Sequence, residues 1–162
     1  MASGKGIPAN SSVLMPRLIC RDPRAALDFY LRTFEAVSLN ERPGPDGSLV
    51  HALFTIGPAM VMVEAEWPTL PGRAPATDGN SSVVLFLYVE DVDQTADRAV
   101  ANGARIVVPL QDQFWGDRVA SIIDPAGHVW TIASRIEETT AEERTRRWSD
   151  TLEKGKANAG GD

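Results

Sequence analysis

Residues 82–134 read SVVLFLYVEDVDQTADRAVANGARIVVPLQDQFWGDRVASIIDPAGHVWTIAS, and the order of elements in this stretch decides the fold. Ser82 to Val89 is an apolar strand that ends in Glu90-Asp91. Val92 to Asn102 predicts a helix, and Gly103 supplies the left-handed stop that helices favour. Arg105 to Val108 predicts a strand, with a loop through Gln111-Asp112-Gln113-Phe114-Trp115-Gly116. Asp117–Ile123 and His128–Ser134 then form a hairpin across Asp124-Pro125-Ala126-Gly127. The order is β-α-β-β-β.

The same order occurs upstream. Val13 to Cys20 is apolar and gives way to Asp22, a natural N-cap, and Pro23, which suits the first helical turn. Ala25, Ala26, Leu27, Phe29, Tyr30 and Phe34 follow at helical spacing. Ala36 to Asn40 reads as a short strand, and residues 43–47 (Pro-Gly-Pro-Asp-Gly) as a loop. Strands at Val50–Ile56 and Ala59–Glu64 meet at Gly57-Pro58. One supersecondary unit is therefore used twice, over about 13–64 and 82–134. Residues 65–80, with three prolines and two glycines, link the copies. A helix is expected over 138–154, opened by a capping box at Thr139-Thr140-Ala141-Glu142-Glu143 and carrying Trp148. Residues 1–12 and 155–162 read as flexible tails.

Bulk properties exclude some partners. The 162-residue chain carries a net charge of −6, which argues against nucleic acid or an anionic membrane surface. No run reaches the ~18 apolar residues of a membrane span, and the first ten residues lack an apolar leader core. Cys20 is the single cysteine, so a reducing compartment, the cytoplasm, is expected.

Several stretches carry a family likeness. Arg21-Asp22-Pro23-Arg24-Ala25-Ala26-Leu27-Asp28-Phe29-Tyr30, Tyr88-Val89-Glu90-Asp91-Val92-Asp93 and Asp124-Pro125-Ala126-Gly127-His128-Val129-Trp130 resemble the vicinal-oxygen-chelate superfamily of glyoxalases, bleomycin-resistance proteins and dioxygenases. Asp112-Gln113-Phe114-Trp115-Gly116-Asp117-Arg118, Pro43-Gly44-Pro45-Asp46-Gly47 and Val50-His51-Ala52 are similar to its PhnB-like branch. The likeness covers roughly residues 13–137. It implies an α+β fold in which two βαβββ modules make an eight-stranded open pseudo-barrel, with helices on the convex side and a ligand cavity on the concave side. It also implies a homodimer, in some relatives with modules exchanged.

Side-chain alternation predicts what that cavity holds. A two-residue turn at Gly57-Pro58 sets Leu53 against Met62 and His51 against Glu64. A two-residue turn in the last hairpin sets Arg118 against Ala133 and Ala120 against Thr131. The family pattern puts Thr131 on the concave side and Trp130 in the core. The expected lining is Met15, Leu53, Met60, Met62, Val84, Phe86, Tyr88, Ala120 and Ile122, with Arg17, His51, Glu64, Arg118 and Thr131 as its polar groups. Phe114 and Trp115 stand at the mouth, as a loop anchor or a stacking platform.

The positions where metal-dependent relatives place their ligands fall, by the same resemblance, on Met15, Met62, Val84 and Thr131. None is a competent ligand for a hard or borderline divalent ion. The expectation is a metal-independent protein that binds a small, partly aromatic molecule carrying a negative or acceptor group. Two alternatives stand beside it. One is a lyase- or isomerase-type enzyme using His51, Glu64 and Arg118; the other is a metal enzyme with an altered ligand set. Arg118 has two readings, an anion clamp or a salt bridge to Asp112, Asp117 or a second subunit. His51 and Glu64 are either an acid–base dyad or a structural cross-strand pair.

Overall fold

The computed structural model describes residues 6–8, 11–76 and 81–159. Most of the expected N-terminal tail, the end of the linker and the last three residues of the C-terminal tail fall outside them. Module one contains β1 (Arg17–Cys20), α1 (Pro23–Thr33), β2 (Val37–Pro43), β3 (Leu49–Ile56) and β4 (Ala59–Ala65). Module two contains β5 (Val84–Tyr88), α2 (Val92–Ala101), β6 (Arg105–Asp112), β7 (Asp117–Ile123) and β8 (Val129–Arg135), and α3 (Ala141–Ala159) follows. The two modules form separate four-stranded mixed sheets, sheet A in the order β1-β4-β3-β2 and sheet B in the order β5-β8-β7-β6. In each, the first strand pairs parallel with the last. The α+β expectation of two βαβββ units and an added helix holds.

β2 runs to Pro43 instead of stopping at Asn40, and β5 spans Val84–Tyr88 within the expected Ser82–Val89. Other boundaries moved for physical reasons. β1 is shorter than expected because Val13 and Leu14 are fully out in solvent and pairing begins after Pro16. β6 runs on to Asp112, and the register shifts between Ile106 and Gln111 absorb Pro109, which cannot donate to the ladder. α3 continues to Ala159, five residues past the expected end.

Three hairpins use one turn. In Gly44–Ser48, Gln113–Asp117 and Asp124–His128, the first N–H donates to the last carbonyl and the fourth residue donates back to the first. That fourth residue is a glycine with positive φ each time: Gly47 at 82°, Gly116 at 93° and Gly127 at 95°. These are three-residue loops, a type I turn followed by a left-handed glycine. Only Gly57-Pro58 is the two-residue turn expected, and it seats Ile56 against Ala59.

The helix-facing sides of both sheets share one core. Asp22 caps α1 by accepting from the Ala25 N–H (3.0 Å), and the helix turns Ala26, Leu27, Phe29 and Tyr30 inward. Tyr30 stacks on Phe54 of sheet A and leans on Trp130 of sheet B. Its hydroxyl donates to Asp124 (2.6 Å), which also accepts from Trp130 Nε1, Ala126 N and His128 N. Asp124 is thus saturated with donors, the condition under which a carboxylate can be buried. Burial beside that carboxylate pushes the Tyr30 phenol well above the usual tyrosine range.

Candidate functional site

Each sheet has a far face, turned away from the helices. On sheet A the expected register holds: His51 lies opposite Glu64, Leu53 opposite Met62 and Thr55 opposite Met60, with Arg17 beside Met62. Met15, Met60 and Met62 are half-buried there, and Ser12 bridges to Met60 through backbone and side chain. The polar chemistry differs from a dyad. Arg17 forms a close ion pair with Glu64 and holds that carboxyl below the usual range. His51 Nδ1 stands 4.0 Å from Glu64, outside hydrogen-bond reach.

On sheet B the expected register was wrong by one residue. The three-residue turn sets Ser121 against Thr131, Ala120 against Ile132 and Arg118 against Ser134. A slip of one moves every side chain of a strand to the other face. Ala120 and Ile122 are therefore core residues, fully buried against the helices, and do not line a ligand surface. Arg118 goes with them. Its Nε and Nη2 hold both oxygens of Asp93 (2.8 and 3.0 Å), and its Nη1 donates to Asp112 (2.8 Å). All three guanidinium nitrogens engage these two carboxylates, so the salt-bridge reading applies and the anion clamp does not.

The strand positions that take their place are Asp117, Val119, Ser121 and Ile123. The Ser121 and Thr131 hydroxyls bond each other (3.1 Å). On the edge strand β5, Phe86 and Tyr88 are 52% and 56% exposed, with ring centroids 5.2 Å apart. Asp117, at 0% exposure, is the residue that alternation with the wrong register hid. Its Oδ2 accepts from Tyr88 Oη and Trp115 Nε1, each at 2.7 Å. Its Oδ1 lies 2.9 Å from Arg135 Nε without a hydrogen bond along that line, so the two are held by charge. The Tyr88 phenol crosses β8 where that strand carries only Ala133. Phe114 meets Trp115 edge-on at 4.9 Å in the loop above.

Other chemistry-bearing groups are committed elsewhere. The Cys20 thiol is buried, 3.7 Å from His128 Nε2, and burial pushes it up to about 12, so no thiolate forms at neutral pH. A cavity of about 610 Å³ lies at the start of α1, but Arg24 on its wall is paired with Glu41. Another of about 460 Å³ runs along the seam between modules and has Tyr88 in its wall. The four positions the resemblance assigns to metal ligands hold two thioethers, an isopropyl group and a hydroxyl already bonded to Ser121, a donor set that does not fit a divalent ion. Among the described residues, no three His, Cys, Asp or Glu gather around a point that could hold one. No helix among them is long and apolar enough to cross a membrane.

Residues 12–132 match the Glyoxalase/Bleomycin resistance protein/Dioxygenase superfamily. The uncharacterized protein Rv0887c of Mycobacterium tuberculosis is 39% identical over 133 residues, covering 80% of this chain and 78% of its own. Among solved structures, TioX of Micromonospora sp. ML1 is 32% identical, covers 78% of this chain and 100% of its own, and superposes with a TM-score of 0.62. The fosfomycin resistance protein FosX of Listeria monocytogenes, solved with Mn(II) and sulfate, is 17% identical with a TM-score of 0.59 and covers 85% of this chain and 98% of its own. At that identity the likeness speaks for the fold alone. α3 lies beyond the matched residues.

Proposed function

Because the chain belongs to the glyoxalase/bleomycin resistance/dioxygenase superfamily, we propose that it is a PhnB-like protein that binds a small organic molecule on its far faces and does so without a metal. The observation that carries this reading is the lining. Met15, Leu53, Met60 and Met62 on sheet A, and Phe86 and Tyr88 on sheet B, give adaptable thioether and aromatic surface, and the positions the resemblance assigns to metal ligands hold no imidazole or carboxylate. A homodimer in a reducing cytoplasm belongs to the same proposal. The half-exposed Val84, Phe86 and Tyr88 form an apolar strip on a strand with a free edge, and a second copy is the occupant that would close a pocket over it. The enzymatic alternative loses support, because Arg118 is turned to the helix side and Glu64 is engaged by Arg17.

The test is a thermal-shift and calorimetric screen of aromatic acids, aromatic amines and antibiotics, with elemental analysis of protein purified without chelator. We expect stabilisation by several degrees from at least one compound, substoichiometric metal, and no added stabilisation from manganese or nickel. Stoichiometric metal, or turnover of a compound without binding to the far faces, defeats the proposal. Light scattering on eluting protein tests the dimer; a mass of 17.5 kDa at micromolar concentration refutes it.

A further inference from the structure

The expected ligand carries a negative or acceptor group, for which Arg118 is the clamp the sequence offers and Arg17 a second cation in the lining. Both guanidiniums are engaged by carboxylates. Beside the Ser121 and Thr131 hydroxyls, which bond each other, the polar group that faces the apolar strip is the Tyr88 hydroxyl, and its single proton already goes to Asp117. Arg135 is drawn inward as well. Its Nε faces Asp117 at 2.9 Å, its Nη1 donates to the Trp115 carbonyl (3.2 Å), its Nη2 reaches the Tyr88 oxygen only at a long 3.5 Å, and Asp117 balances its charge. With its proton committed and Arg135 approaching one lone pair, the Tyr88 oxygen can meet a ligand only through its other lone pair. From this geometry we infer that Tyr88 is a specificity-determining hydrogen-bond acceptor, selecting flat apolar molecules that carry an N–H or O–H donor, and that Asp117 and α3 are what hold it in that role.

The part played by α3 follows from how its root is fastened. Arg147 holds both oxygens of Glu137 (2.8 and 2.6 Å) and donates to the Phe114 carbonyl (3.2 Å). Trp148 packs on Phe114 at 5.4 Å between ring centroids. Thr139 Oγ1 donates to the Trp115 carbonyl (3.0 Å). A side chain at Gly116 would meet the Glu137 carbonyl at 2.3 Å, so only glycine permits this approach. The loop that carries Trp115 is thus pinned from outside the family-matched residues, and the Trp115 indole shares Asp117 with Tyr88. Asp117 and Arg147 are positioning residues, since they act through Tyr88 and Trp115. The Asp117 bond also keeps the phenol above its usual titration range, so it stays protonated and committed at neutral pH.

This inference rests on the binding reading above, and its test separates the two. The probes are indole and benzofuran, which share a shape but differ in one N–H. Binding is followed by amide and indole resonances of wild type, Tyr88→Phe and the Arg147→Ala/Trp148→Ala double variant. We expect wild type to prefer indole by about three- to tenfold, the size of one hydrogen bond. Tyr88→Phe should bind both equally, with its thermal midpoint lowered by the loss of one donor to the buried Asp117 carboxylate. In the double variant the Trp115 indole N–H resonance should move upfield and the preference should shrink. Equal affinities in wild type overturn the inference while leaving the binding reading in place. Millimolar probe that shifts no resonance of Val84, Phe86, Tyr88 or Thr131 overturns both. An ultraviolet titration adds an arm that needs no ligand: Tyr88 should ionise at higher pH in wild type than in Asp117→Asn, and a curve unchanged by that substitution refutes the Asp117 link. If Asp117→Asn does not fold, the Tyr88→Phe comparison decides alone.

Discussion

Glu35 sits at φ 55°, in the left-handed region that L side chains other than Asn and Asp seldom adopt. It follows Phe34, the last residue of the α1 cap, and lets Phe34 N and Ala36 N both return to the Tyr30 carbonyl. Gly103 holds the equivalent place after α2, at φ 99°. That glycine was readable as a helix stop, while a glutamate in the same conformation gives no sign of it. Glu35 is exposed and its ion pair with Arg98 is 3.5 Å long, so the side chain contributes little. Glu35→Gly should relieve the backbone by roughly 0.5–1 kcal/mol and raise the thermal midpoint by about 1–4 °C. A lower midpoint in a calorimetric scan contradicts this. Asp117 was equally hard to read, for a different reason. Its partners come from β5, the 113–116 loop and β8, and no local pattern brings a tyrosine 29 positions away onto a carboxylate.

Elements were more legible than contacts, because periodicity and capping are local. Both helix starts follow an aspartate that accepts from the third N–H onward, and α3 opens on the Thr140–Glu143 capping box. In sheet A, β2 pairs with β3 out to Pro43 through two register shifts that no local pattern announces. The β3–β4 hairpin of that sheet was legible down to its pairs, since Gly57-Pro58 leaves no choice of loop length. Sheet B was not, because Asp-Pro-Ala-Gly fits a loop of two, three or four residues, and only the left-handed Gly127 makes it three. The two earlier turns with glycine in the same place, Gly47 and Gly116, held the clue. Gly127→Ala forces a side chain into that conformation and brings its Cβ to 3.0 Å from the Ala76 carbonyl. It should destabilise the fold by roughly 1–3 kcal/mol, read as a lower urea midpoint with an unchanged slope. A midpoint within experimental error of wild type would mean that the turn does not set the register.

At the scale of the molecule, the modules are joined by a few buried polar contacts inside a shared apolar core. Tyr30 reaches across to Asp124, and His128 Nε2 lies 3.1 Å from the Ile19 carbonyl of β1. Burial lowers the His128 pKa from its ordinary value, so the folded protein favours the neutral ring. The sign follows from linkage: the unfolded chain takes up the proton first, so stability is complete above about pH 6.5 and falls as pH drops below it. Urea midpoints should therefore decline between pH 7.5 and 5.5, and His128→Asn should flatten that slope; a slope unaffected by the substitution assigns it to other groups.

The free edge of β5 has a consequence for how the chain fares in a cell. From Ser82 to Val89 there is no charge and no proline, so a newly made chain displays a strand suited to pairing with any other exposed strand. Glu90 and Asp91, directly after it, supply the repulsion that slows such stacking. Overproduction should therefore favour inclusion bodies at high expression temperature, and a lysine at position 84 should return the protein to the supernatant.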